Sequence, residues 1–278
     1  MKETRAEHLA VEKLRPFEGH PFKVVDNEEM DQLVWSILTQ GLLTPLVVRP
    51  LPNGEYEVIS GHRRLHACKK AGIETVPALI YAIDRDAAAI ALVDSNLQRE
   101  HILPSEKAFA YKLKLEAMNH QGRTSGQVGQ KWTRDEIAEG ESGRQVQRYI
   151  RLTNLIPGIL QKVDEGRIAL TPAVELSYLT DAEQEDLLET MESEDCTPSL
   201  SQAIQMKALS QSGQLDMDTI FHIMTQPKAN QQEKISFKVS ELRDFFPRHY
   251  TAAQMMQEIK MALKERQQRL ARQRDHSR

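Results

Sequence analysis

Gly61-His62-Arg63-Arg64 concentrates chemistry in this chain: a glycine, an imidazole and two adjacent guanidinium groups. A glycine at a strand-to-helix junction lets a ligand approach the backbone. Free N–H groups at a helix start, together with guanidinium groups, suit a phosphate. The alternative is an amphipathic surface helix with solvated arginines, and spacing alone leaves both open. A second constellation lies further on. Thr133 with Glu136 and Ser142 with Gln145 form tandem capping boxes, with Gly140 between them as a turn residue. Two helices joined by a glycine-containing turn is the shape of a helix-turn-helix. On its second helix Val146, Tyr149, Ile150 and Thr153 form the inward stripe. Arg144, Gln147, Arg148 and Arg151 fall outward, where arginine and glutamine suit guanine and adenine edges and later arginines suit phosphates. Thr133, Ser142 and Gln145 join this DNA-facing set as the residues of its two helix starts. The alternative is a polar surface helix in an ordinary bundle; the shortage of acids after Glu141 favours recognition. Ala138 lies closer to Val146 than the usual motif places its small residue, so the first helix is expected to be short.

The elements that must position these groups are legible on either side. Pro45-Leu46-Val47-Val48-Arg49 and Tyr56-Glu57-Val58-Ile59, joined through Pro52-Asn53-Gly54, predict a β-hairpin. A helix is expected from Arg63 to Ala71, closed by Gly72. Upstream, Asp26 is placed to cap a helix through Ile37, with Met30, Leu33, Val34 and Ile37 on one face and Gly41 at its end. A short strand over 76–81 and an alanine-rich helix from Asp84 toward Asn96 follow. From Leu103-Pro104-Ser105-Glu106 onward the strand signals fade. A helix over Ser105 to Met118 is expected, with Phe109, Leu113 and Met118 near its apolar face. Residues 120–131 read as a polar loop, and helices continue to about residue 192. Thr197-Pro198-Ser199 and the stretch Gln226 to Gln232 read as boundaries. Beyond them lie a strand-like Ile235 to Val239 and a helix from Thr251. The expected organisation is an α+β domain over 1–100, an all-α helix-turn-helix domain over 101–195, a helical linker over 196–232 and a small C-terminal module over 233–278.

Composition bounds the rest. With 278 residues the chain fits two or three modules, and 40% hydrophobic with 27% charged residues is the balance of a soluble globular protein. It contains no apolar run long enough to span a membrane, and its N-terminus lacks the apolar core of a secretory signal. Cys68 and Cys196 are far apart, so neither a disulfide framework nor a CxxC metal site is expected, and a reducing cytoplasm is the expected location. Net charge is −4, so DNA binding must come from local basic patches. His20, His62 and His66 have no zinc-site spacing. Cys68 is expected as an inert packed thiol, and Trp35 and Trp132 as packing residues, Trp132 as a staple before Thr133. The last helix carries Met255, Met256, Ile259 and Leu263, which suit a core or a dimer seam. After it comes a run of lysines and arginines suited to solvent or to nonspecific DNA contact.

The order Gly61-His62-Arg63-Arg64, then Ser95-Asn96-Leu97-Gln98-Arg99-Glu100, then a helix-turn-helix resembles the ParB/Spo0J/Noc family of partition proteins over roughly residues 10–195. The resemblance implies an N-terminal ParB/sulfiredoxin-like domain that binds CTP with Mg²⁺. Gly41 to Arg49, including Thr44, Pro45 and Arg49, matches the part that cradles the cytosine. Gly61, Arg63 and Arg64 match the family's Gly-Glu-Arg-Arg phosphate motif, and Asn96 and Arg99 its Glu-Asn-x-x-Arg motif. His62 and Ser95 stand where that family has acids. Mg²⁺ prefers hard oxygen ligands, so the loss weakens the expected hold on the ion, leaves Asn96 as its candidate ligand and makes CTP hydrolysis slow or absent. The resemblance further implies a homodimer with a C-terminal dimerisation module, closing as a CTP-responsive clamp on double-stranded DNA at a palindromic parS-like site. It would associate with the nucleoid, with a ParA-type ATPase as partner and no membrane. Two alternatives stay open: a Noc-type nucleoid-occlusion factor or transcriptional regulator, and a ParB-like nucleotide-dependent kinase.

Overall fold

The structure, a computed structural model, describes residues 4–99, 101–124, 141–226, 245–247 and 249–275. Residues 1–226 form one compact unit and 227–278 a second. The first unit opens with a five-stranded sheet in the order β1-β5-β3-β4-β2: β1 (Thr4–Ala10), β2 (Leu14–Pro16), β3 (Leu46–Pro50), β4 (Tyr56–Ser60) and β5 (Thr75–Tyr81). β3 and β4 make the expected hairpin, antiparallel, with Val48 opposite Val58. The residues before Asp26, which carried no strand signal, supply both edge strands. β1 runs antiparallel to β5, and β2 parallel to β4. Among the described side chains of β1 only Leu9 is buried, so the alternation that announces a half-buried strand is missing there.

Strand side chains alternate between two cores. Leu46, Val48, Val58 and Val76 meet α1 (Glu28–Gln40) and α2 (His62–Lys70) through Met30, Ile37, Leu65 and Cys68. Val47 and Ile59 face the other way, onto Phe17, Phe22 and the alanine-rich α3 (Arg85–Leu97). Asn27, not Asp26, caps α1, its side chain accepting from the Met30 N–H; Asp26 instead accepts from Lys70. Trp35, expected to pack, is 67% exposed on the outer side of α1. Cys68 is buried, and burial raises its thiol pKa.

The helical part begins with α4 (Pro104–Thr124), a turn and a half longer than expected, so 121–124 are helix rather than loop. Its buried face is Ala108, Ala110, Tyr111 and Ala117, while Phe109 is exposed: small residues let α3 and the later helices approach closely. There follow α5 (Gly143–Arg151), α6 (Pro157–Asp164), α7 (Leu170–Leu176), α8 (Asp181–Ser193), α9 (Leu200–Gln211) and α10 (Met217–Thr225). The last two occupy the stretch expected as a linker. They are part of the core instead: Ala203, Met206, Ile220, Ile223 and Met224 bury against Leu176, Leu187 and Met191. Buried Gln202 ties them together by donating to the Ile223 carbonyl, 2.7 Å away. In the second unit α11 (Ala252–Asp275) matches the expected helix after Thr251, with Met255 buried and Met256 and Leu263 exposed. The strand-like 235–239 lies outside the described residues.

Candidate functional site

The first candidate site forms where β4 hands over to α2. Gly61 takes φ +103°, ψ 25°, a left-handed conformation that glycine adopts without strain. A Cβ there would lie 2.6 Å from Leu46 Cδ2 and 3.1 Å from Arg64 Nη2, so space as well as backbone requires glycine. No side chain caps α2, and its first helical bond runs from the Leu65 N–H to the Gly61 carbonyl. The N–H groups of His62, Arg63 and Arg64 lie ahead of that bond, as an anion site at a helix start requires.

The expected nucleotide residues separate into distinct environments. Arg64 Nη1 donates to the carbonyls of Thr44, at 2.6 Å, and Pro45, at 2.9 Å. Burial lowers its pKa, yet a guanidinium stays charged, and both partners are neutral. Arg63 Nη2 lies 3.0 Å from Glu29 Oε2, and both side chains remain substantially exposed. Arg99 packs its guanidinium 5.6 Å from the centre of the Phe22 ring; burial lowers its pKa, the Glu106 carboxylate acts against that, and Arg63 is near enough for the two like charges to repel. Arg49, expected at the nucleotide, is neutralised instead: its Nε sits 2.6 Å from Glu57 Oε2, with the two side chains only 13% and 7% exposed. Glu57 also accepts the Glu18 N–H, which makes this pair a brace inside the sheet domain.

His62 turns inward. Its Nε2 accepts the Phe17 N–H at 3.3 Å, its ring also bonds to the Val58 backbone, and the ring centre stacks 3.7 Å from that of His20. Burial, His20 and Arg99 push its pKa down to about 3, and burial lowers His20 to about 4, so both rings are neutral near pH 7. Ser95 donates its hydroxyl to the Leu92 carbonyl. Buried Asn96 donates its amide to the same carbonyl at 2.8 Å and to Ser95 Oγ at 3.3 Å. These groups fit a magnesium site poorly: positions 62 and 95 hold a spoken-for imidazole and a back-bonded hydroxyl rather than carboxylates, and Asn96, held through its amide nitrogen, offers a single neutral oxygen. The sequence reading did not single out Phe17, Phe22 or Glu57. The aromatic pair bracketing Gly19-His20-Pro21 was the available signal.

The second site is α5. Ser142 caps it by accepting the Gln145 N–H, and Val146 is fully buried on its inner face. Arg144 is exposed and Gln147 partly so. Arg148 reaches Gln145 Oε1 at 3.2 Å and Thr171 Oγ1, on α7, at 2.6 Å. Arg151 donates to Ser177 Oγ at 3.1 Å and the Ser177 carbonyl at 2.8 Å, and its guanidinium lies 3.8 Å from the centre of the Tyr178 ring. Lys207 Nζ approaches the same ring at 3.7 Å. Lys207 is itself paired with Glu175 at 2.8 Å, whereas Arg148 and Arg151 hold neutral oxygens. Thr133, with its capping box, Gly140 and Trp132 lie outside the described residues.

Comparison with known proteins assigns the chain to a family. The model of the ParB N-terminal domain matches residues 1–97. The chain is 30% identical over 238 residues to a probable chromosome-partitioning protein ParB of Vibrio cholerae, covering 84% of this chain and 77% of that one. It is 39% identical over 110 residues to a nucleoid occlusion protein of Geobacillus kaustophilus, covering 39% of each. Among solved structures, the C-terminally truncated ParB of Caulobacter crescentus, complexed to the centromeric parS site, shares 24% identity, with a TM-score of 0.43 over 74% of this chain and 99% of that one. Described residues include no helix long and apolar enough to cross a membrane. By its match along most of the Vibrio protein, the chain belongs to the ParB family of chromosome-partitioning proteins.

Proposed function

We propose that this chain is a dimeric, site-specific DNA-binding partition protein whose sheet domain binds CTP and thereby governs its hold on DNA. The observation that carries the nucleotide part is the open first turn of α2, which bears Arg63 and Arg64 with Arg99 close to Arg63, while the hairpin's Arg49 is committed to Glu57. The DNA part is supported by α5, whose capped start presents Arg144 and whose Arg148 and Arg151 meet neutral oxygens rather than carboxylates. A palindromic parS-like target and a ParA-type ATPase partner follow from family membership and belong to the same reading. Chromatin mapping tests it. Enrichment spreading over kilobases around one site is the expected result, and discrete promoter peaks overturn it.

The second reading, a nucleoid-occlusion protein, is supported by one observation: the chain is 39% identical to such a protein over 110 residues, against 30% over 238 residues for the Vibrio partition protein. Deletion separates the two. Loss of the replicon at division indicates partition, and septa closing over DNA indicate occlusion.

A further inference from the structure

We propose that this site binds its nucleotide without a divalent ion, the guanidinium groups of Arg63, Arg64 and Arg99 supplying the neutralisation that a magnesium ion would give a triphosphate. The inference rests on the nucleotide reading above and adds to it the charge chemistry of the pocket. Magnesium demands near-octahedral oxygen ligation and draws on one or two carboxylates. Around α2 the carboxylates have other work. Glu29 lies on Arg63, Glu57 on Arg49, and both oxygens of Glu106 accept backbone N–H groups, from Lys23 and Leu103.

Among the described residues, positions 62, 95 and 96 offer no anionic donor in their place. His62 has one ring nitrogen on the Phe17 N–H and a bond to the Val58 backbone, with His20 stacked against it. Ser95 and Asn96 both donate to the Leu92 carbonyl. A dication placed there would also meet Arg63 and Arg99, which already repel each other. A polyphosphate meets the opposite balance: three guanidinium groups, and the N–H groups of a helix start with no side-chain cap. Arg64 brings in addition a fixed geometry, since two backbone carbonyls hold it.

Calorimetry of CTP binding to the full chain, in excess EDTA and in excess Mg²⁺, tests the proposal. The expected dissociation constants agree within about threefold, below the tenfold that 1.4 kcal/mol represents. Binding that requires Mg²⁺, with at least a tenfold loss in EDTA, overturns the proposal and leaves the nucleotide reading intact. No heat in either buffer overturns the nucleotide reading itself, and the proposal with it. Arg63→Gln, at a partly exposed position that the fold tolerates, provides a second arm. In EDTA it is expected to bind CTP about tenfold more weakly, with Mg²⁺ recovering part of the loss. An Arg63→Gln protein as tight as the parent in EDTA shows that the guanidinium does not replace the ion.

Discussion

The starts of α2 and α5 carry the same sequence feature, arginines within the first turns of a helix, yet the structure treats them differently from the arginine of the neighbouring hairpin. Arg64 of α2 and Arg148 and Arg151 of α5 hold neutral oxygens: carbonyls of Thr44, Pro45 and Ser177, and hydroxyls of Thr171 and Ser177. Arg49 of β3 holds a buried carboxylate. The first kind is positioned without being neutralised, so its charge remains available to an anion. The second is spent. Partner chemistry and burial together separate arginines that can bind a ligand from those that brace the fold: Arg63 also meets a carboxylate, Glu29, but both side chains are exposed and the pair can open to an anion.

The largest way to break this comparison is at the brace. Glu57→Ala leaves Arg49 buried without its counter-charge and is expected to cost about 3–5 kcal/mol in denaturant unfolding. The paired replacement Arg49→Met with Glu57→Leu is expected to be near neutral, and an equally large loss there would show that the ion pair itself carries the stability. Gly61→Ala forces a side chain into left-handed backbone and against Leu46, with an expected loss of about 1–3 kcal/mol in the same assay. Arg148→Ala is expected to weaken cognate DNA binding by about 1–3 kcal/mol while leaving the thermal midpoint close to the parent's; equal losses on random DNA would assign the side chain to phosphates.

The histidine pair gives a smaller, pH-dependent effect. Folded-state values of about 4 for His20 and about 3 for His62 lie below the usual 6.5, so the unfolded chain takes up protons first. The stability these rings contribute is complete above about 6.5 and is lost as the pH falls from there toward 3. Urea midpoints followed from neutral to acid pH should decline, and His62→Gln should flatten part of that slope. The smallest effect is expected at Trp35, which the fold leaves exposed: Trp35→Gln should change stability by less than about 0.5 kcal/mol.

Local pattern was enough for much of this molecule. The hairpin was legible because Asn53-Gly54 joins two β-rich runs, α1 because its apolar residues repeat with the period of a helix, and the α2 junction because Gly61 stands between strand and arginines. Each of these is set by residues a few positions apart. The edge strands β1 and β2 were not legible, since their pairing is made with residues up to 77 positions away and only one face of each needs to be apolar. The same holds for α9 and α10, whose burial depends on α7 and α8 and not on their own sequence. The sequence by itself determined where the cations and helix starts lie along the chain. Tertiary structure alone decided which cations stay charged toward solvent: Glu57 arrives beside Arg49 from the adjacent strand, Phe17 brings its N–H to His62 across 45 positions, and carbonyls before β3 take Arg64. A side chain's ligand-binding capacity depends on what reaches it in space, and spacing along the chain carries no record of that.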